Sequence, residues 1–153
     1  MSTQVCAPAI VIRNGCCDDV HHMLPLMRQL RYPTTPSVLK ERLSMVEGHP
    51  FLISLVAELD GVVVGTMFLK QHQTHDMKKP VTRVTALIVD EKYRGIGIGK
   101  RLVLEAEAWG RERGSTDLVL STARDSNFTA KTFYEHMGFS NSGYRMSKSL
   151  IQG

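Results

Sequence analysis

The sequence predicts an α/β chain of the α+β kind, with helices interspersed in a mixed, mostly antiparallel sheet. Two β-rich runs, Phe51–Glu58 and Val62–Lys70, flank the hairpin signal Leu59-Asp60-Gly61. A third run, Val81–Val89, is followed by glycines and then by Ile98, Leu102, Ala106 and Trp109 on one helical face. Helical patterns both precede and follow these runs, which gives the order β-α-α-β-β-β-α-β-α-β.

The elements follow in chain order. Ala9–Arg13 is a short apolar run stopped by Asn14-Gly15, hence an edge strand and a turn. Asp18 and Asp19 suit the first turn of a helix, where negative charge is favoured. Val20, Leu24, Met27 and Leu30 form its apolar face, and Pro25 is expected to kink or shorten it. Thr35 as N-cap and Pro36 at the first helical position open a second helix, with Leu39, Leu43 and Val46 inward and Gly48 as its stop. Gly65 marks a bulge or a close approach in the strand after the hairpin. Gln71–Pro80 reads as a polar loop, and Gly114 closes the helix that follows the glycine turn. Asp117–Ser121 is a fifth strand. Asn127 caps a last helix with Ala130, Phe133 and Met137 inward, Gly138 ends it, and Phe139 packs back on it. Tyr144–Ser149 reads as a final strand.

At 153 residues, 42% hydrophobic and 22% charged, one domain spanning 1–153 is expected. No apolar run reaches the roughly 18 residues that span a membrane. Met1–Ala9 lacks a basic start followed by an apolar core, so the expected address is the cytoplasm. Cys6, Cys16 and Cys17 are odd in number and form no C-x-x-C, which points to reduced structural thiols. The charge of +4 fits a small polyanionic ligand. The basic residues form no dense stripe with interleaved aromatics, so nucleic acid is not an expected partner.

The stretch Arg94-Gly95-Ile96-Gly97-Ile98-Gly99-Lys100 lies between a strand and a helix. Glycines there let backbone N–H groups approach an anion at the positive end of the helix dipole. A P-loop needs one more residue between its glycines and a hydroxyl where Arg101 stands. A dinucleotide fingerprint needs a βαβ start and an acid ending the next strand, whereas here three strands precede and Ser121-Thr122 follow.

The turn resembles the pyrophosphate-binding motif of the GNAT family of N-acetyltransferases. Asn127, Ala130, Tyr134 and Gly138-Phe139 match that family's second motif, with one strand between the two motifs. The resemblance covers nearly the whole chain and implies a GNAT-like sheet with helices on both faces. It implies acetyl-CoA as cosubstrate, with its pyrophosphate over the backbone N–H groups of Gly95, Gly97, Ile98, Gly99 and Lys100, and with Arg94 and Lys100 adding charge. It implies that the pantetheine arm runs beside Leu87, Ile88 and Val89, with Asn127 and Ala130 near it. Asn127 serves equally well as a helix cap. Arg101 and Lys131 read as surface residues. Tyr134 is the catalytic candidate, a phenol that protonates the leaving thiolate.

Many relatives carry a glutamate on the central strand as general base. Here that strand offers Arg83, Thr85 and Ala86 instead. Glu58, Asp76, His72 and His75 remain candidates, as does a water held by Thr85. His72, His75 and Asp76 are too few constraints for zinc, and no metal is expected. His21 and His22 read as surface residues.

The tail, with Leu120-Ser121-Thr122, Phe133-Tyr134 and Tyr144–Leu150, is similar in patches to the aminoalkylphosphonate acetyltransferases. The expected function is transfer of an acetyl group to the primary amine of a small molecule. The alternatives are a protein lysine or N-terminal acetyltransferase and a non-catalytic acyl-CoA-binding module. Dimers are common in that fold, and an exposed final strand would support a homodimer.

Overall fold

The computed structural model describes residues 9–32, 34–121, 128–143 and 146–151. Strand β1 (Ile10–Asn14) leads through a 3-10 turn (Cys17–Asp19) into helices α1 (Val20–Gln29) and α2 (Pro36–Val46). Strands β2 (Leu52–Leu59), β3 (Val62–His72) and β4 (Val81–Val89) follow. A second 3-10 turn (Glu91–Tyr93) then precedes helix α3 (Ile98–Glu112), strand β5 (Leu118–Leu120) and helix α4 (Phe128–His136). The chain divides into two compact units, Met1–Leu120 and Ser121–Gly153.

The first unit holds the sheet, in the order β1-β2-β3-β4-β5. The first three pairings are antiparallel and β4–β5 is parallel, so the sheet is mixed and mostly antiparallel as expected. Asp60 (φ 51°) and Gly61 (φ 81°) make the two-residue turn between β2 and β3, a conformation whose twist matches the flanking strands. Helices cover both faces. On one, Met23, Leu26 and Met27 of α1 and Leu39 and Leu43 of α2 pack with Val56, Val63 and Ile88. On the other, Gly65 lets α3 settle close: a Cβ there would stand 3.3 Å from Ile98 and 3.4 Å from Leu102. The pairing skips Val64 beside it, so Gly65 is both a close approach and the neighbour of a bulge.

Local signals hold at α2, where the Thr35 hydroxyl accepts from Val38 N–H (3.3 Å) and Pro36 is the first helical residue. Helix α1 runs on past Pro25, and its buried face includes Met23 and Leu26 as well as Val20 and Met27. Asp19 does not merely favour a helix start. It is buried and accepts two hydrogen bonds from the Arg13 guanidinium (2.7 and 3.0 Å) and one from Cys16 N–H. Arg13 holds the Asp19 carboxyl below the usual carboxylate range, against the opposing effect of burial.

Two expectations fail. Gln71 and His72 are not in a loop but extend β3, opposite Thr82 and Val81. The Gln71 amide can be buried because it donates to Arg113 O (2.9 Å) and Ser115 Oγ (3.2 Å). The final strand is also absent from Met146–Ser149, and Tyr144 and Arg145 lie outside the described residues. Alternation would set Lys148 between Met146 and Leu150 on one face, leaving no continuous apolar side to bury, and these two residues are 92% and 89% exposed.

In the second unit, α4 ends as its sequence suggests. Gly138 (φ 94°) donates to Glu135 O, and Phe139 N–H donates to Tyr134 O (3.0 Å for each). These are the two bonds of a Schellman cap, and the Phe139 ring rests against Tyr134, with centroids 5.7 Å apart.

Candidate cofactor-binding site

The glycine turn starts at Asp90, whose carboxylate accepts from Lys92 N–H (3.1 Å) and whose own N–H donates to Val64 O (2.8 Å). Gly95 (φ 86°) and Gly97 (φ 92°) both adopt the left-handed conformation, and nothing lies within 4 Å of where their Cβ atoms would be. Gly97 is the N-cap of α3 and offers no side chain to cap it. The first bond inside the helix is Arg101 N–H to Gly97 O (3.0 Å). The N–H groups of Ile98, Gly99 and Lys100 therefore have no partner within the helix, and none among the described residues. Gly95 and Gly97 N–H are likewise unbonded among the described residues. Free donors at a helix N-terminus, bordered by open space, suit an anion.

Arg94 is tied down from the side. Its Nε donates to Val89 O (3.0 Å), which leaves the terminal nitrogens of the guanidinium for another acceptor. Lys100 is exposed at the first turn of α3. Arg101 faces away from this role, as its guanidinium donates to Ile10 O (3.2 Å). Lys131 is exposed on α4.

Strand β4 supplies a second open edge. Strand β3 pairs with it from Val81 to Val89, but β5 pairs only with Thr82, Arg83 and Val84. Beyond Val84 no described strand pairs with that edge. The parting coincides with a bulge: Phe68 lies opposite Ala86 and Leu69 opposite Val84, so Thr85 is the extra residue. Its hydroxyl donates to Phe68 O (3.2 Å). Neighbouring residues of a strand direct their peptide groups to opposite edges. Since Asp90 N–H meets Val64 O on the β3 side, Ile88 also faces β3, while Leu87 and Val89 present their N–H groups to the open edge. Ile88 instead contributes a buried side chain to the core beside α1.

Of the predicted cofactor residues, the first unit thus brings together Leu87, Val89, Arg94, Gly95, Gly97, Ile98, Gly99 and Lys100. Asn127 lies outside the described residues. Ala130 is half-buried in α4. Tyr134 is half-buried there too, edge-on to Phe133 at 5.4 Å and to Phe139. Burial raises the phenol's pKa, so it keeps its proton at neutral pH.

The candidate bases separate. Glu58 accepts from Arg13 Nε at 2.7 Å, in the ion cluster with Asp19. Asp76 is bonded to the Thr74 hydroxyl in an exposed loop with His75. His72 lies at the end of β3, its Nδ1 buried without a hydrogen-bond partner. Thr85 is exposed on the bulge. Among the described residues no three His, Cys, Asp or Glu side chains gather where they could hold a metal ion.

A residue that sequence reasoning missed is Gln29, the last of α1. Its amide donates to Asp90 Oδ1 (3.4 Å) and accepts from Glu91 N–H (3.0 Å). Nothing in the sequence signals a bond across 61 residues.

Comparison with known proteins bears on the family and the fold. The model of the acetyltransferase (GNAT) family matches residues 18–139, well over half of the chain. The probable N-acetyltransferase family 8 member 5 of Mus musculus is 34% identical over 97 residues, covering 63% of this chain and 42% of that protein. The mycothiol acetyltransferase of Thermobispora bispora is 35% identical over 85 residues, covering 55% of this chain and 28% of that one. The match spans less than half the length of each of these curated relatives. Among solved structures, the aminoglycoside N-acetyltransferase AAC(6')-Iy in complex with CoA superposes with a TM-score of 0.84 at 19% identity, over 95% of this chain and 97% of that one. Glucosamine-6-phosphate N-acetyltransferase from Arabidopsis thaliana gives 0.78 at 22%, over 94% and 99%. At such identities these structures show the fold alone.

Proposed function

The chain belongs to the acetyltransferase (GNAT) family, and on that premise we propose that it moves an acetyl group from acetyl-CoA to the primary amine of a small molecule. The observation that carries this reading is the row of unbonded N–H groups from Gly95 to Lys100 beside the open edge of β4 at Leu87 and Val89. A pyrophosphate needs the first, and an amide-bearing arm needs the second.

Acetyl-CoA supplies an activated thioester. In this reading the residues of the chain bind, orient and protonate. The N–H groups of Gly95, Gly97, Ile98, Gly99 and Lys100 hold the pyrophosphate, with Arg94 and Lys100 offsetting its charge. The peptide groups of Leu87 and Val89 align the pantetheine arm, and Asn127 and Ala130 belong to the same binding set. Tyr134, protonated at neutral pH, donates its proton to the departing thiolate as the amine bonds to the carbonyl carbon. The amine's own proton leaves through ordered water, for which the exposed Thr85 hydroxyl is a holder on the strand where a carboxylate is absent.

The small-molecule acceptor draws support from a relative whose name specifies one, the mycothiol acetyltransferase. The deciding experiment follows free thiol released from acetyl-CoA across a panel of small amines, aminophosphonates, aminoglycosides and peptides. Turnover with a small amine supports the reading. Turnover confined to peptides would replace it with a protein acetyltransferase. CoA binding without turnover on any acceptor would point to a binding module.

A further inference from the structure

Gln29 stands where two parts of the first unit meet. It closes α1, whose Met23, Leu26 and Met27 are locked into the core against Val56, Val63 and Ile88. Its backbone therefore has a fixed position. Its side-chain amide reaches the start of the glycine turn and uses both of its ends there. The nitrogen donates to Asp90 Oδ1 at 3.4 Å and the oxygen accepts from Glu91 N–H at 3.0 Å. The same Asp90 oxygen caps Lys92 N–H at 3.1 Å, and Asp90 N–H is held by Val64 O at 2.8 Å. From Asp90 onward the chain runs through a single 3-10 turn and two left-handed glycines before α3 begins. A segment with that much conformational freedom needs an anchor at its start if its N–H groups are to converge.

We propose that Gln29 is a positioning residue for the pyrophosphate turn, holding Asp90 and Glu91 so that the donors after them are set before the ligand arrives. The inference rests on reading that turn as the CoA site. Gln29 touches no ligand itself, so its effect is on affinity. Removing it lets the turn sample other shapes, and part of the binding free energy then goes into ordering it.

The test is the dissociation constant of CoA by titration calorimetry, with thermal unfolding and steady-state kinetics alongside. Gln29→Ala is expected to weaken CoA roughly three- to tenfold, the scale of one ordinary hydrogen bond. In kinetics it raises KM for acetyl-CoA and leaves kcat near the parent value. Gln29→Glu keeps the acceptor for Glu91 N–H but sets a second carboxylate against Asp90, and weakens CoA at least as much. Adding Asp90→Ser to Gln29→Glu removes one carboxylate and supplies a hydroxyl whose O–H donates to the new carboxylate while its oxygen still accepts from Lys92 N–H, a pair of reversed polarity that restores affinity. A purely structural role would lower the melting temperature and leave affinity alone, which would overturn the proposal. So would CoA affinity unchanged in Gln29→Ala, or a double variant no better than Gln29→Glu. If Gln29→Ala does not fold, the polarity-reversed pair decides. If the parent protein does not bind CoA at all, the reading of the turn itself falls, and this proposal with it.

Discussion

Replacing Gly97 by alanine separates the two roles that residue combines. Gly97 has φ 92° and ψ 9°, and a Cβ there would meet nothing within 4 Å. The penalty in the free protein is therefore backbone strain alone, about 1–2 kcal/mol for an L-residue held in the left-handed region. For a chain of this size that lowers the melting temperature by about 2–8 °C. In the complex the methyl group would project into open space next to the unbonded N–H groups of Ile98, Gly99 and Lys100. Loss of one charge-assisted hydrogen bond there is worth about 1.5–3 kcal/mol, so CoA should bind about ten- to a hundredfold more weakly. Gly114 provides the control. It lies just past the other end of α3, with φ 80° and equally open surroundings, so Gly114→Ala carries the same strain far from the turn. Titration calorimetry with CoA and thermal unfolding on both variants complete the assay. Equal affinities for the two variants would refute the assignment of the anion to this turn.

Two more expectations follow from groups outside the turn. Tyr134→Phe should lower turnover about 10²–10⁴-fold, with CoA affinity unchanged, and full turnover in that variant would remove the phenol from the mechanism. Asp19→Asn should destabilise the protein by about 2 kcal/mol at pH 7, because it leaves the Arg13 guanidinium without its buried partner. The Asp19 carboxyl lies below its unfolded range, so its contribution is present above about pH 4 and fades as pH falls through the folded value. Urea titrations should show the parent losing stability below about pH 4 more steeply than Asp19→Asn, and parallel curves would refute the pairing.

What the sequence made legible was local chemistry. The Asp60-Gly61 turn, the Thr35 cap, the bounds of β4 and the Gly138-Phe139 cap each depend on residues a few positions apart, and each is present as expected. So was the glycine turn, whose spacing and missing hydroxyl at Arg101 weaken the P-loop reading. What stayed hidden depends on distant partners. The Asp19 carboxylate reads as a helix-start charge until β1 brings Arg13 beside it. Gln71 looks like a loop residue until the end of α3 supplies acceptors for its amide. The bulge at Thr85 depends on how β3 and β4 slide past one another, which no single-strand pattern encodes. The tail failed for the converse reason. On an extended tail Met146 and Leu150 would share one side, and Lys148 between them interrupts it.

Helix α3 rests on the sheet at two glycines. Near its start Ile98 and Leu102 lie over Gly65, and near its end Gly110 lies so close to Thr82 that a Cβ would stand 2.9 Å from the hydroxyl oxygen. Ile98 and Gly110 are about 18 Å apart along the helix axis at 1.5 Å per residue. A stiff rod seated at two points that far apart cannot tilt without lifting off one of them. The direction in which the free N–H groups point is thus inherited from the twist of the sheet beneath. Breathing of the sheet between β3 and β4 would swing the row of donors as one body.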